Sequence, residues 1–183
     1  MSHTGIPNRK GTRLMVIDLQ ERLMPVIYEK EKLVKKVNTL IRGMEILQVP
    51  TVVTEQYPKG IGHTLSEIKV PESAEVHEKM SFSCMRDDKI AGGSTIAQAT
   101  DLVLCGVEAH ICVLNTALDA LEKGQRVHVV ADAISSRFPE NKHYGIERLR
   151  QSGVFIVTVE MILFQLMEES GNDQFRAISK LIK

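Results

Sequence analysis

Residues 102–112 read LVLCGVEAHIC. Leu102–Val107 is an unbroken apolar run, and a run of that length reads as a strand buried on both faces. The polarity changes at Glu108, and residues 110–123 then follow a helical period. Gly124 stands where a helix stops, since glycine tolerates the left-handed conformation that closes a last turn. A buried strand that runs straight into a helix is half of a βαβ unit.

The pattern repeats outward in both directions. Leu14–Ile17 (LMVI) is a second buried strand, ending at Asp18. Leu33, Val37, Leu40, Ile41, Met44 and Leu47 recur at helical spacing over 30–47. Pro50 introduces Thr51–Thr54 (TVVT), another strand, and Ala74–His77 is a weaker one before Lys79. Residues 87–98 read as a helix weakened by Gly92-Gly93. Val127–Ala131 (VHVVA) is a strand, 140–151 a helix, and Val154–Val159 (VFIVTV) the last strand. A short helix over 173–182 carries Phe175, Ile178 and Ile182 on one face, either as an interface between copies or against its own domain. This alternation predicts an α/β fold, a parallel sheet with helices on both faces. Ligands in such sheets sit beyond the carboxyl ends of the strands. Asp18, Glu55, Gln56, Lys79, Glu108 to Cys112 and Asp132 should therefore share one rim.

Composition narrows the function. The chain has 183 residues, 23 Lys+Arg against 23 Asp+Glu, and 43% hydrophobic residues. High apolar content without net charge excludes a disordered chain. Balanced charge and the lack of Lys/Arg blocks exclude the footprint that nucleic acid or an anionic membrane demands. No apolar run is long enough to cross a bilayer. Residues 1–11 read as a disordered or extended tail and 12–183 as a single domain. Residues 1–17 lack the apolar core of a secretory signal. They hold Arg9, Lys10 and Arg13 and no acid, so a cytoplasmic protein is expected, with a mitochondrial location as the alternative.

Three cysteines remain. No CxxC pair exists, so neither a zinc knuckle nor a dithiol redox motif is available. Cys105 lies mid-strand and reads as core, and Cys84, in SFSCM, is undecided. Cys112 stands in the first turn of a helix, where the dipole and the unpaired N–H groups favour a thiolate and could bind an oxyanion. Read by position alone it is as readily a small buried hydrophobe. His110 is two residues away and faces elsewhere on a helix. His128 alternates within an apolar strand and reads as structural. Asp18 and Lys79 are better partners by topology, although each taken singly is as readily a solvated charge.

Three motifs in this order resemble those of the isochorismatase-like cysteine hydrolases: Asp18-Leu19-Gln20 after an apolar strand, Lys79 in KMSFS, and GVEAHIC over 106–112. The likeness spans residues 12–167. Ala109 stands where the family commonly has Thr. TEQYPKGIG (54–62), KMSFSCM (79–85), LCGVEAHICVLNTALD (104–119) and VHVVADAISSR (127–137) are similar to eukaryotic isochorismatase domain-containing proteins. The resemblance implies a three-layer Rossmann-like fold with a six-stranded parallel sheet. It implies a Cys112 nucleophile, an Asp18 base, and Lys79 as the group that orients it. It implies an oxyanion hole from the N–H groups of Ile111 and Cys112, and a cis peptide between Val107 and Glu108. Gln20, Glu55, Gln56, Tyr57 and Phe82 are the candidates for a substrate pocket. The metal ligands of the nicotinamidase branch are missing, so neither a metal nor another cofactor is expected. The expected activity is hydrolysis of a small-molecule amide, or a related C–N or ester bond, through a thioester. The expected assembly is a homo-oligomer, a dimer or larger. The alternative is a non-catalytic interaction or scaffold protein on the same fold.

Overall fold

The computed structural model describes residues 4–183. Six strands form one parallel sheet: β1 (Thr12–Ile17), β2 (Thr51–Gln56), β3 (Glu75–Lys79), β4 (Asp101–Gly106), β5 (Arg126–Ile134) and β6 (Phe155–Val157). Their order across the sheet is β3-β2-β1-β4-β5-β6. The chain thus winds one way from β1 through β3 and the other way from β4 through β6. The reversal falls between β1 and β4, where open α/β sheets place their ligands.

The helices follow in chain order: α1 (Lys30–Ile46), α2 (Pro58–Ile61), α3 (Asp88–Ala91), α4 (Ser94–Ala97), α5 (Leu114–Glu122), α6 (Pro139–Gln151), α7 (Val159–Met167) and α8 (Asp173–Leu181). Strand side chains alternate between faces, so each strand feeds two cores. Leu14, Val16, Val53, Val103 and Val130 join α1, α7 and α8 on one face. Met15, Ile17, Val52, Leu104 and Val129 join α3 to α6 on the other. Because both faces are covered, Leu14 to Ile17 are all buried, which is why that strand reads as unbroken hydrophobicity rather than alternation.

The structure departs from the sequence reading in several places. β5 runs to Ile134 and so contains Asp132, which does not reach the rim with Asp18. Its carboxylate instead accepts from the Val159 N–H at the start of α7 and pairs with Lys36. The last strand stops at Val157, and Val159 opens a helix. Val159, apolar like the strand before it, conceals that change, which Thr158 makes by accepting from the Met161 N–H as the helix cap. Gly92-Gly93 splits the expected helix over 87–98 into two four-residue pieces. Ile178 of α8 is fully buried, with Phe175 and Ile182 packed beside it on the chain's own core. Of the tail expected over 1–11, residues 1–3 lie outside the described residues. The remainder is tied down: Gly5 and Pro7 are buried, Asn8 caps a short turn at Arg9–Gly11, and Arg9 donates to the Leu47 carbonyl.

Candidate active site

β1 ends at Ile17, and Asp18 turns the chain out of the sheet. Its backbone is left-handed (φ 55°), a conformation that Asp adopts more readily than most side chains. The Asp18 N–H is held by the Thr54 carbonyl of β2. This fixes the carboxylate inside the domain, where Asp18 is fully buried.

Lys79, the last residue of β3, brings the countercharge. Its ammonium donates to Asp18 Oδ2 at 2.7 Å and to Gln56 Oε1 at 2.7 Å, and it also reaches the Ser81 carbonyl. Thr54 Oγ1 donates to the other carboxylate oxygen, Oδ1, at 2.8 Å. The Cys112 thiol completes the group, near enough to Asp18 that each bears on the other's proton affinity. Asp18, Lys79 and Cys112 thus come together from three separate elements.

Cys112 is carried on a short π-helix, Ala109–Val113, that leads into α5. Single π turns of this kind occur frequently at functional sites. Close backbone contacts place the turn. The Val107 N–H donates to the Ile17 carbonyl, and the Ala109 N–H to the Ser135 carbonyl. Gly106 (φ 112°) makes the approach to β1 possible, because a Cβ there would lie 2.1 Å from the Ile17 carbonyl oxygen. The peptide between Val107 and Glu108 is cis. Glu108 accepts from both the backbone N–H and the guanidinium of Arg137, fastening this turn to the segment after β5.

Electrostatics set the resting protonation. Burial pushes the Asp18 carboxyl above its ordinary value, and Lys79, Cys112 and Thr54 only partly offset it. Burial also works against the Lys79 ammonium, but attraction to and the hydrogen bond with Asp18 hold the lysine charged. The Cys112 thiol is pushed up, first by burial and then by the Asp18 charge. The position therefore does not supply the resting thiolate that a helix N-terminus suggested. Desolvation at a site only 7% exposed outweighs the dipole. Cys84 is pushed up to about 11 by burial, and Cys105, with no partner at all, is pushed up by burial alone.

The pocket candidates separate. Gln20 is fully buried; its amide donates to the Gln56 and Gly62 carbonyls and accepts from the Gln56 N–H. It ties β1 to β2 and has no polar atom left for a ligand. Glu55 lies within β2, and its carboxylate is taken up by Thr64 and His63. Gln56 supports Lys79 from one end of its amide and donates to the Met80 carbonyl from the other. Tyr57 is half-exposed and lines a cavity of about 550 Å³ with Lys59, Glu78, Met80, Arg86 and the strand end at Lys79. Phe82 is exposed and is not among the residues lining that cavity. The Ile111 N–H donates to the Glu108 carbonyl at 3.0 Å, so it is already engaged. His110 bonds Ser136, and His128 bonds Asp101 at the opposite end of the sheet. Among the described residues no cluster of three or more His, Cys, Asp or Glu side chains is placed to hold a metal. None of their helices is long and apolar enough to cross a membrane.

Thr54 was missed by the sequence reading. A threonine on an inward strand position carries no signal of its own, and only its register opposite Ile17 places it beside Asp18.

Comparison with known proteins agrees with the fold. The model of the isochorismatase domain matches residues 12–161. Isochorismatase domain-containing protein 2 of Danio rerio is 38% identical over 182 residues, covering 100% of this chain and 92% of that one. The secreted isochorismatase effector Isc1 of Phytophthora sojae is 42% identical over 175 residues, covering 93% and 83%. A solved structure described as the MAR1 ribonuclease of Caenorhabditis elegans superposes with a TM-score of 0.89 at 36% identity, covering 96% of this chain and 91% of that one. With the domain model matched over most of its length and with relatives this similar, the chain belongs to the isochorismatase domain family.

Proposed function

We propose that the protein is a cysteine hydrolase that cleaves a small-molecule amide, or a related C–N or ester bond, through a thioester on Cys112. The observation that carries this reading is the Asp18 carboxylate, held by Lys79 at 2.7 Å, with the Cys112 thiol near enough to feel its charge.

In the first half-reaction Cys112 Sγ forms a bond to the substrate carbonyl carbon. Because the resting thiol is protonated, its proton passes to Asp18 as the bond forms, which is general-base catalysis. The carbonyl oxygen becomes an oxyanion, and the Cys112 N–H serves as its donor. The Ile111 N–H serves as the second donor by turning from, or sharing, its bond to Glu108. The intermediate collapses, the C–N bond breaks, and Asp18 returns the proton to the leaving amine. Water then attacks the thioester, again giving its proton to Asp18, and the acid departs with Cys112 restored as a thiol. Lys79 stays charged throughout, keeps Asp18 oriented, and favours its ionised form between proton transfers. Tyr57 supplies the pocket wall, while Gln20, Glu55 and Gln56 act as supports behind the site. The reading needs no metal or other cofactor, and it places the protein in the cytoplasm as a homo-oligomer.

The test is turnover on a panel of small amides and esters, with intact-mass detection of an acyl group on Cys112. Hydrolysis with a trapped Cys112 adduct supports the reading. A folded protein that turns over nothing in the panel and leaves Cys112 unmodified by small electrophiles supports a non-catalytic role. An RNA substrate belongs in the same panel because of the ribonuclease description of the Caenorhabditis elegans structure. RNA cleavage that survives Cys112→Ala would overturn the proposal.

A further inference from the structure

We propose that Thr54 is a positioning residue for the Asp18 base, and that Cys84 fixes the direction in which the Thr54 hydroxyl points. The proposal rests on Asp18 acting as the base toward Cys112. It adds a neutral donor on the second carboxylate oxygen and gives a role to a thiol that the chemistry leaves unused.

Proton counting sets the direction of the chain. A threonine hydroxyl has one hydrogen and two lone pairs, while an ionised carboxylate only accepts. Thr54 lies 2.8 Å from Asp18 Oδ1, so its single proton points to Asp18. Cys84 Sγ lies 3.8 Å from the same hydroxyl oxygen, and there the proton comes from sulfur. Cys84 is fully buried and stays a thiol at neutral pH, with its pKa pushed up to about 11 by burial. The relay therefore runs one way, from Cys84 S–H to Thr54 O–H to Asp18.

The relay is also tied to the nucleophile. The Cys84 N–H donates to Thr116 Oγ1 at 3.0 Å, and Thr116 lies on α5 one turn beyond Cys112. The element that carries the nucleophile thus holds the residue that orients the donor to its base. With Thr54 on Oδ1 and Lys79 on Oδ2, both oxygens of Asp18 are fixed, so the carboxylate cannot rotate away from Cys112. The titratable or charged groups facing Asp18 are Lys79 from β3, Cys112 from the π turn, and Cys84 from the loop after β3.

A donor to a carboxylate favours its ionised form, so removing it raises the carboxyl pKa. The experiment measures the rate of Cys112 alkylation by iodoacetamide against pH, which needs no knowledge of the substrate. Wild type, Thr54→Val, Thr54→Ser, Cys84→Ala and Asp18→Asn are compared, with folding checked by thermal melting. Thr54→Val is expected to move the acid limb upward by about one pH unit, the size of one lost charge-assisted hydrogen bond. Thr54→Ser should restore it, and Cys84→Ala should move it by a smaller amount in the same direction. The proposal is overturned if Asp18→Asn removes the limb but Thr54→Val leaves it at the wild-type position. It is also overturned if Thr54→Ser shifts the limb as far as Thr54→Val. If Asp18→Asn leaves both the rate and the limb unchanged, the base reading itself fails, and that result is distinct from the other two.

Discussion

Asp18 and Lys79 stand 61 residues apart in the chain, yet their side chains meet at 2.7 Å with neither exposed to solvent. A buried ion pair contributes little net stability over an apolar pair of the same shape, but breaking one strands a charge. Keeping both groups makes sense where the carboxylate has a task, and here the Cys112 thiol shares that carboxylate.

Replacing Lys79 by Met should expose that dependence. The buried carboxylate loses its countercharge, and the fold is expected to lose about 3 kcal/mol in urea denaturation. The Asp18 pKa, already raised by burial, should rise further. Cys112 alkylation at neutral pH should fall and recover only at more alkaline pH. A neutral-pH rate equal to wild type would contradict this account.

The three thiols should be separable by accessibility. Cys84 and Cys105 are fully buried, whereas Cys112 retains slight exposure beside Asp18. Intact mass after iodoacetamide treatment should show one adduct on the native protein and three after denaturation. Peptide mapping should place the first on Cys112. Asp18→Asn is expected to slow that first adduct by roughly 100-fold, the lower range for a lost general base.

A second buried network lies at the opposite end of the sheet and sets acid stability. Asp101 accepts from His128, Arg126 and Thr100 and from the Asn8 N–H. Burial opposes its charge, but these donors hold its pKa below the ordinary value. A carboxyl lowered on folding stabilises the protein above its unfolded pKa, and that contribution fades as pH falls through the folded value. Urea midpoints should therefore decline from about pH 4 downward. Asp101→Asn should cost stability at neutral pH and make that decline shallower. An unchanged slope would remove Asp101 from the explanation.

Gly106 should tolerate no side chain. An alanine Cβ would lie 2.1 Å from the Ile17 carbonyl oxygen, on a backbone with φ 112°. Gly106→Ala is expected to destabilise by about 3 kcal/mol or more and to slow Cys112 alkylation, because the same contact seats the π turn. Wild-type melting and reactivity together would show that β1 and β4 can part at no cost.

Much of the fold is legible in the chain, because burial on both sheet faces leaves unbroken apolar runs at Leu14–Ile17 and Leu102–Leu104. The boundary at Val157 was hidden because apolar residues stand on both sides of Thr158, and periodicity cannot separate two adjoining buried elements. Asp18, Lys79 and Cys112 were legible as strand-end and helix-start residues. The roles of Gln20 and Glu55 were not, because a polar residue after a strand reads the same whether it faces a ligand or a neighbouring backbone.

The sequence by itself determined the α/β pattern and the three motifs at strand ends and a helix start, while the strand order, with its reversal between β1 and β4, came from the structure. Local pattern suffices for the former, since period and punctuation follow from which side chains must leave water. Tertiary structure alone decided the chemistry of the site. It showed that burial pushes the Cys112 thiol up, that Thr54 completes the hold on Asp18, and that Ile111 has committed its N–H to Glu108. Desolvation and hydrogen-bond direction depend on which atoms meet across β1, β2, β3 and the π turn, and no stretch of the chain records those meetings.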